Sequence, residues 1–356
     1  MSARPHTVTA LRSWLADGEI LGPDGAMHAW YDAESGERSF PYPEITGYAL
    51  THYASRAEPT GAELTAAEAA TAWLLRRIEA GNLAARDGWE SGGVYYFDLA
   101  MIANGLLAIA DRRSLPAARE GADRLVALMV AEIDRCGQLP ALPTGQVTRR
   151  TGWSVTGRAH MGKAVQCLLH AAHATPGESR ADLDRATAAV VAQTLAEQQP
   201  DGRFRTDADD EVTMLHPHLY AVEGLWCHAR ATGDSRTADA ARAGAQWVWR
   251  HQLPTGGLPR FVATGRGQGA GDPPEQLDLT AQAVRAAALT GVEPDAAARA
   301  ADRLVGVVVD RGGSRAALPY QPESTTRHLN AWVTLFAVQA LELASGTSVP
   351  DWQLLV

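Results

Sequence analysis

Acids and imidazoles gather in this chain at the starts of apolar runs. Glu44 stands in Pro43-Glu-Ile-Thr-Gly-Tyr48, Asp98 closes Tyr95-Tyr-Phe-Asp98, and Asp278 closes Gln276-Leu-Asp278. Cleaving a glycosidic bond takes two carboxyl groups, one protonated as acid and one ionised as base or nucleophile. These three are the candidates. Histidine supplies a different chemistry: His216 and His218 bracket Pro217 at the head of an apolar stretch, and His160 and His328 open two more. Imidazoles facing each other across a cavity can remove and return a proton, as an epimerase, isomerase or lyase requires. A His-Pro-His spacing is a poor helical chelate, and no His-Glu-x-x-His pattern is present. Neither a metal nor a cofactor is expected.

Polar and aromatic companions cluster at the same run starts. Arg158, Arg327 and Asn330 are candidates to bind substrate polar groups, alongside His160 and His328. Tyr42, Trp153, Tyr220 and Trp332 supply rings that stack on the apolar faces of sugars, line a terpene pocket or simply pack. Any one of the polar residues also reads as a cap at a helix start. Taken as a set, at so many equivalent starts, they are assigned to one site. Lys163, the only lysine of the chain, stands one turn beyond His160. Pairing with an acid is its expected use, with Schiff-base chemistry as the alternative.

A regular series of helices must position these groups. From Pro43 onward, mostly apolar helices alternate with helices that carry Arg, Asp and Glu around one apolar stripe. The pattern predicts a helix from Glu44 followed by Ala66–Glu79, then Leu99–Ala110 with Leu115–Arg135, and Met161–Ala174 with Arg180–Gln199. The His216 run pairs with Thr237–Gln252, Leu279–Thr290 pairs with Asp295–Val309, and Ala331–Leu343 is followed only by a short tail. A unit every ~50–60 residues is the spacing of helical hairpins. An apolar first helix and an amphipathic second one describe an inner and an outer layer. Six such pairs close a ring. Residues 1–42, with a short amphipathic piece at Thr9–Ala16 and aromatics at Trp30, Tyr31 and Phe40, hold too few apolar residues for a core of their own. They are expected as an arm packed on the body formed by residues 43–356.

The connectors after the outer helices repeat one another, and Gln199-Pro-Asp-Gly-Arg-Phe204 resembles the Gln-x-x-Asp-Gly-aromatic turn of α/α-toroid proteins. These include the six-hairpin glycosidases, the terpenoid cyclases and the protein prenyltransferases. Pro43–Tyr48 and His328–Leu341 are similar to toroid proteins of bacterial polysaccharide and glycoside biosynthesis. The resemblance implies an all-α fold, an (α/α)6 barrel, with the starts of the inner helices gathered at one mouth. The chain lacks the acidic motifs of the cyclases and an obvious prenyltransferase zinc set.

Composition narrows the partners. A formal charge of −9 disfavours a nucleic-acid backbone. Three scattered cysteines in a sequence without a signal-peptide core or a membrane-length apolar window suit a cytoplasmic protein. The expected function is a carbohydrate-active enzyme acting on a small-molecule or oligosaccharide substrate, most simply a glycoside hydrolase using Asp98, Asp278 or Glu44. The alternatives are a His-dependent epimerase, isomerase or lyase, a cyclase of a terpenoid-like intermediate, and a non-catalytic glycan-binding protein. Monomer and homodimer are both open.

Overall fold

The computed structural model describes residues 3–85, 93–148, 150–208, 211–263, 273–322, 328–346 and 351–356. Its twelve described α-helices form two concentric layers, an (α/α)6 toroid. The inner ring consists of α2 (Pro43–Ala54), α4 (Tyr96–Arg113), α6 (Ala164–His173), α8 (Leu215–Thr232), α10 (Leu277–Thr290) and α12 (Ala331–Ala344). Each packs on the next, and α12 packs on α2. Every residue of α2 and the whole of α4 from Tyr96 to Ala110 is buried, as helices covered on all sides must be.

The outer ring contains α3 (Gly61–Glu79), α5 (Pro116–Cys136), α7 (Glu178–Ala196), α9 (Ser235–Trp249) and α11 (Pro294–Gly306). Each presents one stripe inward; in α11 this is Ala296, Ala300, Ala301 and Leu304. The sixth pair is completed from the other end of the sequence. The amphipathic piece expected at Thr9–Ala16 is a helix, α1 (Ala3–Leu15), that packs on α12 and buries Leu11, Trp14 and Leu15. A short strand, Trp30–Asp32, then pairs antiparallel with His328–Asn330, just ahead of α12.

Two local differences from the sequence expectation have clear causes. Helix α3 begins earlier than Ala66 because Thr60 and Glu63 form a capping box, each side chain serving the other's backbone N–H. The third inner helix is no α-helix from Met161: Ala159–Lys163 is a 3-10 turn leading into α6. There Gly162 lies against Gly224 of α8 so closely that a Cβ on Gly224 would stand 1.9 Å from the Gly162 carbonyl oxygen. Gly47 of α2 and Gly105 of α4 make a similar approach, 2.2 Å by the same measure.

The repeated connectors clamp each hairpin to the next. Gln198 donates its amide to the carbonyls of Gly202 and Ala240, and Gln252 donates to those of Gly256 and Ala296. In the first connector the clamp is thus Gln198, one residue before the Gln199 of the quoted motif. Both glycines have positive φ, 97° and 91°, which is why the turn needs Gly there.

Candidate active site

The starts of the inner helices surround one mouth, and a cavity of about 670 Å³ opens there. Cavities of ~300–1,000 Å³ enclose drug-sized ligands. All three candidate acids line it: Glu44 in the first turn of α2, Asp98 in that of α4 and Asp278 in that of α10. His216, in the first turn of α8, and His160, in the 3-10 turn before α6, share the same wall. Tyr42, Trp153, Tyr220, His328, Asn330 and Trp332 complete the predicted residues found at the cavity.

Three predicted residues stand apart. His218 is a correction: in the first turn of α8 it points into the layer between α8 and α9. Its Nδ1 accepts from the Phe204 N–H at 3.1 Å, and its Nε2 donates to the Gly244 carbonyl at 2.9 Å. Both ring nitrogens are consumed by the fold, and burial pushes its pKa down to about 4. Arg158 is a second correction, absent from the cavity lining; it pairs with Glu197 at 3.0 Å and donates to the Ala208 carbonyl. Arg327 lies outside the described residues.

His216 and His160 differ from His218 in what their nitrogens meet. His216 Nδ1 is buried and faces Asp278 Oδ2 at 3.6 Å without a hydrogen bond, Gln282 stands beside the ring, and the residue lines the cavity. Both nitrogens of His160 are buried and have no hydrogen-bond partner among the described residues. Trp153 holds the two imidazoles together, its ring centre 5.2 Å from His160 and 5.9 Å from His216. Tyr220 packs against His216 at 4.4 Å. Burial pushes the His160 pKa down to about 3, with His216 adding to the effect. Burial also lowers the His216 pKa, opposed by the carboxylates of Asp278 and Glu223. Burial thus favours the neutral form of both rings.

The acids have local partners too. Asp278 Oδ1 accepts from the Leu279 N–H at 2.8 Å and from the Gln276 amide at 2.9 Å. One oxygen therefore serves the helix start while the other faces His216. Glu44 Oε1 accepts from the Trp332 indole N–H at 3.3 Å. No group of three or more His, Cys, Asp or Glu side chains is arranged to hold a metal ion among the described residues.

Sequence reasoning missed the layers below this floor. Seven residues along a helix is two turns on the same face, about 10 Å deeper. Asp278 thus leads to Arg285, and His216 leads to Glu223. Lys163, expected to pair with an acid, binds Glu223 Oε2 at 2.9 Å, while Arg285 binds Oε1; all three side chains are fully buried. Burial alone would raise the Glu223 pKa, but Arg285 and Lys163 overcome it and hold the carboxyl below its usual range. The Arg285 guanidinium lies 4.2 Å over the ring of Phe336, which stacks near His216. Lower still, residues 351–356 close the far end of the ring. Gln166 donates to the carbonyls of Trp352 and Leu355, Asn104 to that of Gln353, and Gln339 to that of Leu354. The i+7 spacing was the available signal for the ion pairs; nothing in the tail's sequence announces its role.

No family model matches the sequence, and no curated protein matches it. Solved structures do share its fold. An unsaturated glucuronyl hydrolase from Bacillus sp. GL1 is similar with a TM-score of 0.74, 13% identity and 99% of each chain covered. A cellobiose 2-epimerase from Bacillus thermoamylovorans is similar with a TM-score of 0.69 at 12% identity, covering 94% of this chain and 98% of the epimerase. An inactive variant of a Salegentibacter α-1,6-mannanase, in complex with α-1,6-mannotriose, is similar with a TM-score of 0.63 at 14% identity, covering 98% and 100%. At these identities the likeness is one of fold. The same ring carries hydrolysis in two of these proteins and epimerisation in the third.

Proposed function

We propose that this protein is a carbohydrate-active enzyme that moves a proton at a sugar carbon next to a carbonyl, as an isomerase or epimerase does. The observation that carries this reading is the pair of imidazoles, His160 and His216, on one cavity wall, the second facing Asp278 at 3.6 Å. Neutral His216 takes the carbon-bound proton through the nitrogen that does not face Asp278. Asp278, behind Nδ1, fixes the ring's tautomer and offsets the charge the imidazole gains. The electrons left on carbon move onto the carbonyl oxygen, giving an enediolate.

His160, whose two nitrogens are buried behind Trp153, suits the other half of the task once substrate displaces that ring. An imidazole that stays neutral can still donate its N–H to the developing oxyanion, and a low pKa keeps it in that form throughout. His216 then returns the proton to the neighbouring carbon while the hydroxyl proton passes from one enediolate oxygen to the other, which interconverts aldose and ketose; epimerisation at the same carbon takes delivery of the proton to the opposite face. The 3.6 Å separation from Asp278 is a resting distance, and such contacts tighten when substrate binds. The test is to incubate aldoses and ketoses with the protein in deuterated water. Deuterium should enter the sugar with wild type and fail to enter with His216→Ala; equal incorporation by both proteins rules the reading out.

Glycoside hydrolysis is the second reading, supported by the presence of Glu44, Asp98 and Asp278 around the same cavity. With Asp278 engaged by His216 and by its own helix start, the pair to test is Glu44 and Asp98, on the neighbouring helices α2 and α4. Under this reading Asp98→Asn abolishes release of reducing sugar while the fold is retained, and retained release removes it.

A further inference from the structure

The cavity has a second aromatic wall, distinct from the rings around the histidines. Trp30 and Phe40 meet edge to face at 5.4 Å, Phe40 meets Tyr42 at 5.6 Å, and Tyr42 meets the edge of Trp332 at 5.2 Å. His328 stacks on Trp30 at 5.3 Å with an interplanar angle of 19°. The strand pairing of Trp30–Asp32 with His328–Asn330 fixes this group in place. Rings used only as core, such as Tyr48 and Phe336, are 2% and 0% exposed. Trp30, Phe40 and Trp332 are only partly buried, and all three line the cavity.

Ring order sets where this wall stands. Tyr42 caps α2 and Trp332 lies in the first turn of α12, whereas His160 leads into α6 and His216 opens α8. In a closed ring of six inner helices, the α12–α2 side is opposite the α6–α8 side. We infer that the cavity has two subsites, and that the ligand it takes is a sugar with at least two rings, a disaccharide or longer. One ring is held at His160 and His216, and the other stacks on the platform of Trp30, Phe40 and Trp332, which Tyr42 backs. Two points favour a ligand longer than a monosaccharide: ring order sets the platform on the α12–α2 side and the imidazoles on the α6–α8 side, and the cavity volume is of the class that encloses larger ligands. A sugar ring presents an apolar C–H face and a polar rim. The indole faces suit the first, and the Glu44 carboxylate beside Trp332 suits the hydroxyls of the second.

This inference rests on the carbohydrate reading of the site, and the two can fail separately. Isothermal titration of the full chain uses cellobiose, maltose, isomaltose and α-1,6-mannobiose against glucose and mannose. At least one disaccharide should bind about tenfold more tightly than its own monosaccharide, the gain expected of one added aromatic stack. Trp332→Ala should bring that ratio close to one, and Trp30→Leu, on a separate element, should do the same if Trp332→Ala melts early. His216→Ala should weaken both ligands and leave the ratio in place. A ratio near one in wild type, or a high ratio that survives both tryptophan substitutions, overturns the platform while sugar binding itself stands. If no sugar in the set binds, both the platform and the carbohydrate reading fall.

Discussion

Three buried histidines, His160, His216 and His218, show that burial does not determine role; partners do. His218 uses both nitrogens on backbone groups, so His218→Ala removes a core side chain and strands the Phe204 N–H and the Gly244 carbonyl. A loss of about 2–4 kcal/mol in denaturant unfolding is expected, without a change in the pH dependence of turnover. Asp278→Asn should do the reverse. It leaves the fold near wild type and lowers kcat by about 10²–10⁴, because the imidazole loses its orienting carboxylate. Acid should unfold the protein early. His160 and His218 titrate near 3 and 4 in the folded chain against 6.5 ordinarily, so the unfolded chain binds more protons between those values. Stability is therefore full above pH 6.5 and falls as pH drops, by roughly 2 kcal/mol per histidine at pH 5. A flat melting temperature from pH 7 to pH 5 would contradict this. Residue types and helix starts were enough to bring eleven predicted side chains to one cavity. They could not separate His216 from His218, because both stand at one helix start and only the neighbouring helix decides which of them is consumed.

At the scale of elements, the alternation of apolar and amphipathic helices was legible because each layer sees a different solvent. Boundaries were legible only where a cap or a turn fixed them. The Thr60–Glu63 box was there to be read and moves the start of α3 to Gly61. The 3-10 turn before α6 was not, since it depends on Gly162 meeting Gly224 across two helices distant in sequence. Gly224→Ala tests this contact. Its methyl group would meet a backbone carbonyl that cannot rotate away, and a destabilisation of about 1–3 kcal/mol or more is expected. Because His160 and Lys163 ride on the same turn, the variant should also disturb the site, seen as a loss of activity larger than the unfolded fraction explains. The buried Lys163–Glu223–Arg285 cluster is the other cross-element feature. Glu223→Gln strands the buried Lys163 and Arg285 cations without their carboxylate and should cost about 3–5 kcal/mol, as removing one partner of a buried ionic group does. A cost below 1 kcal/mol would show that the cluster is not tightly held.

For the whole molecule, hairpin counting anticipated six inner helices but left the last without an outer partner. The partner is α1, more than three hundred residues upstream of α12. Periodicity cannot reveal such a pairing, since nothing local links Leu11 and Trp14 to the far end of the chain. Deleting residues 351–356 should lower the melting temperature by several degrees, because Gln166, Asn104 and Gln339 lose the carbonyls they bind at the ring's lower end. An unchanged melting temperature would assign those contacts no role in stability. The distant pairing also bears on synthesis. Five hairpins can form one after another as the nascent chain emerges, each from local contacts. The sixth waits until α12 has left the ribosome, with α1 and its apolar face uncovered from the start. Ring closure is thus strongly non-local, and the slow, aggregation-exposed step of folding belongs there.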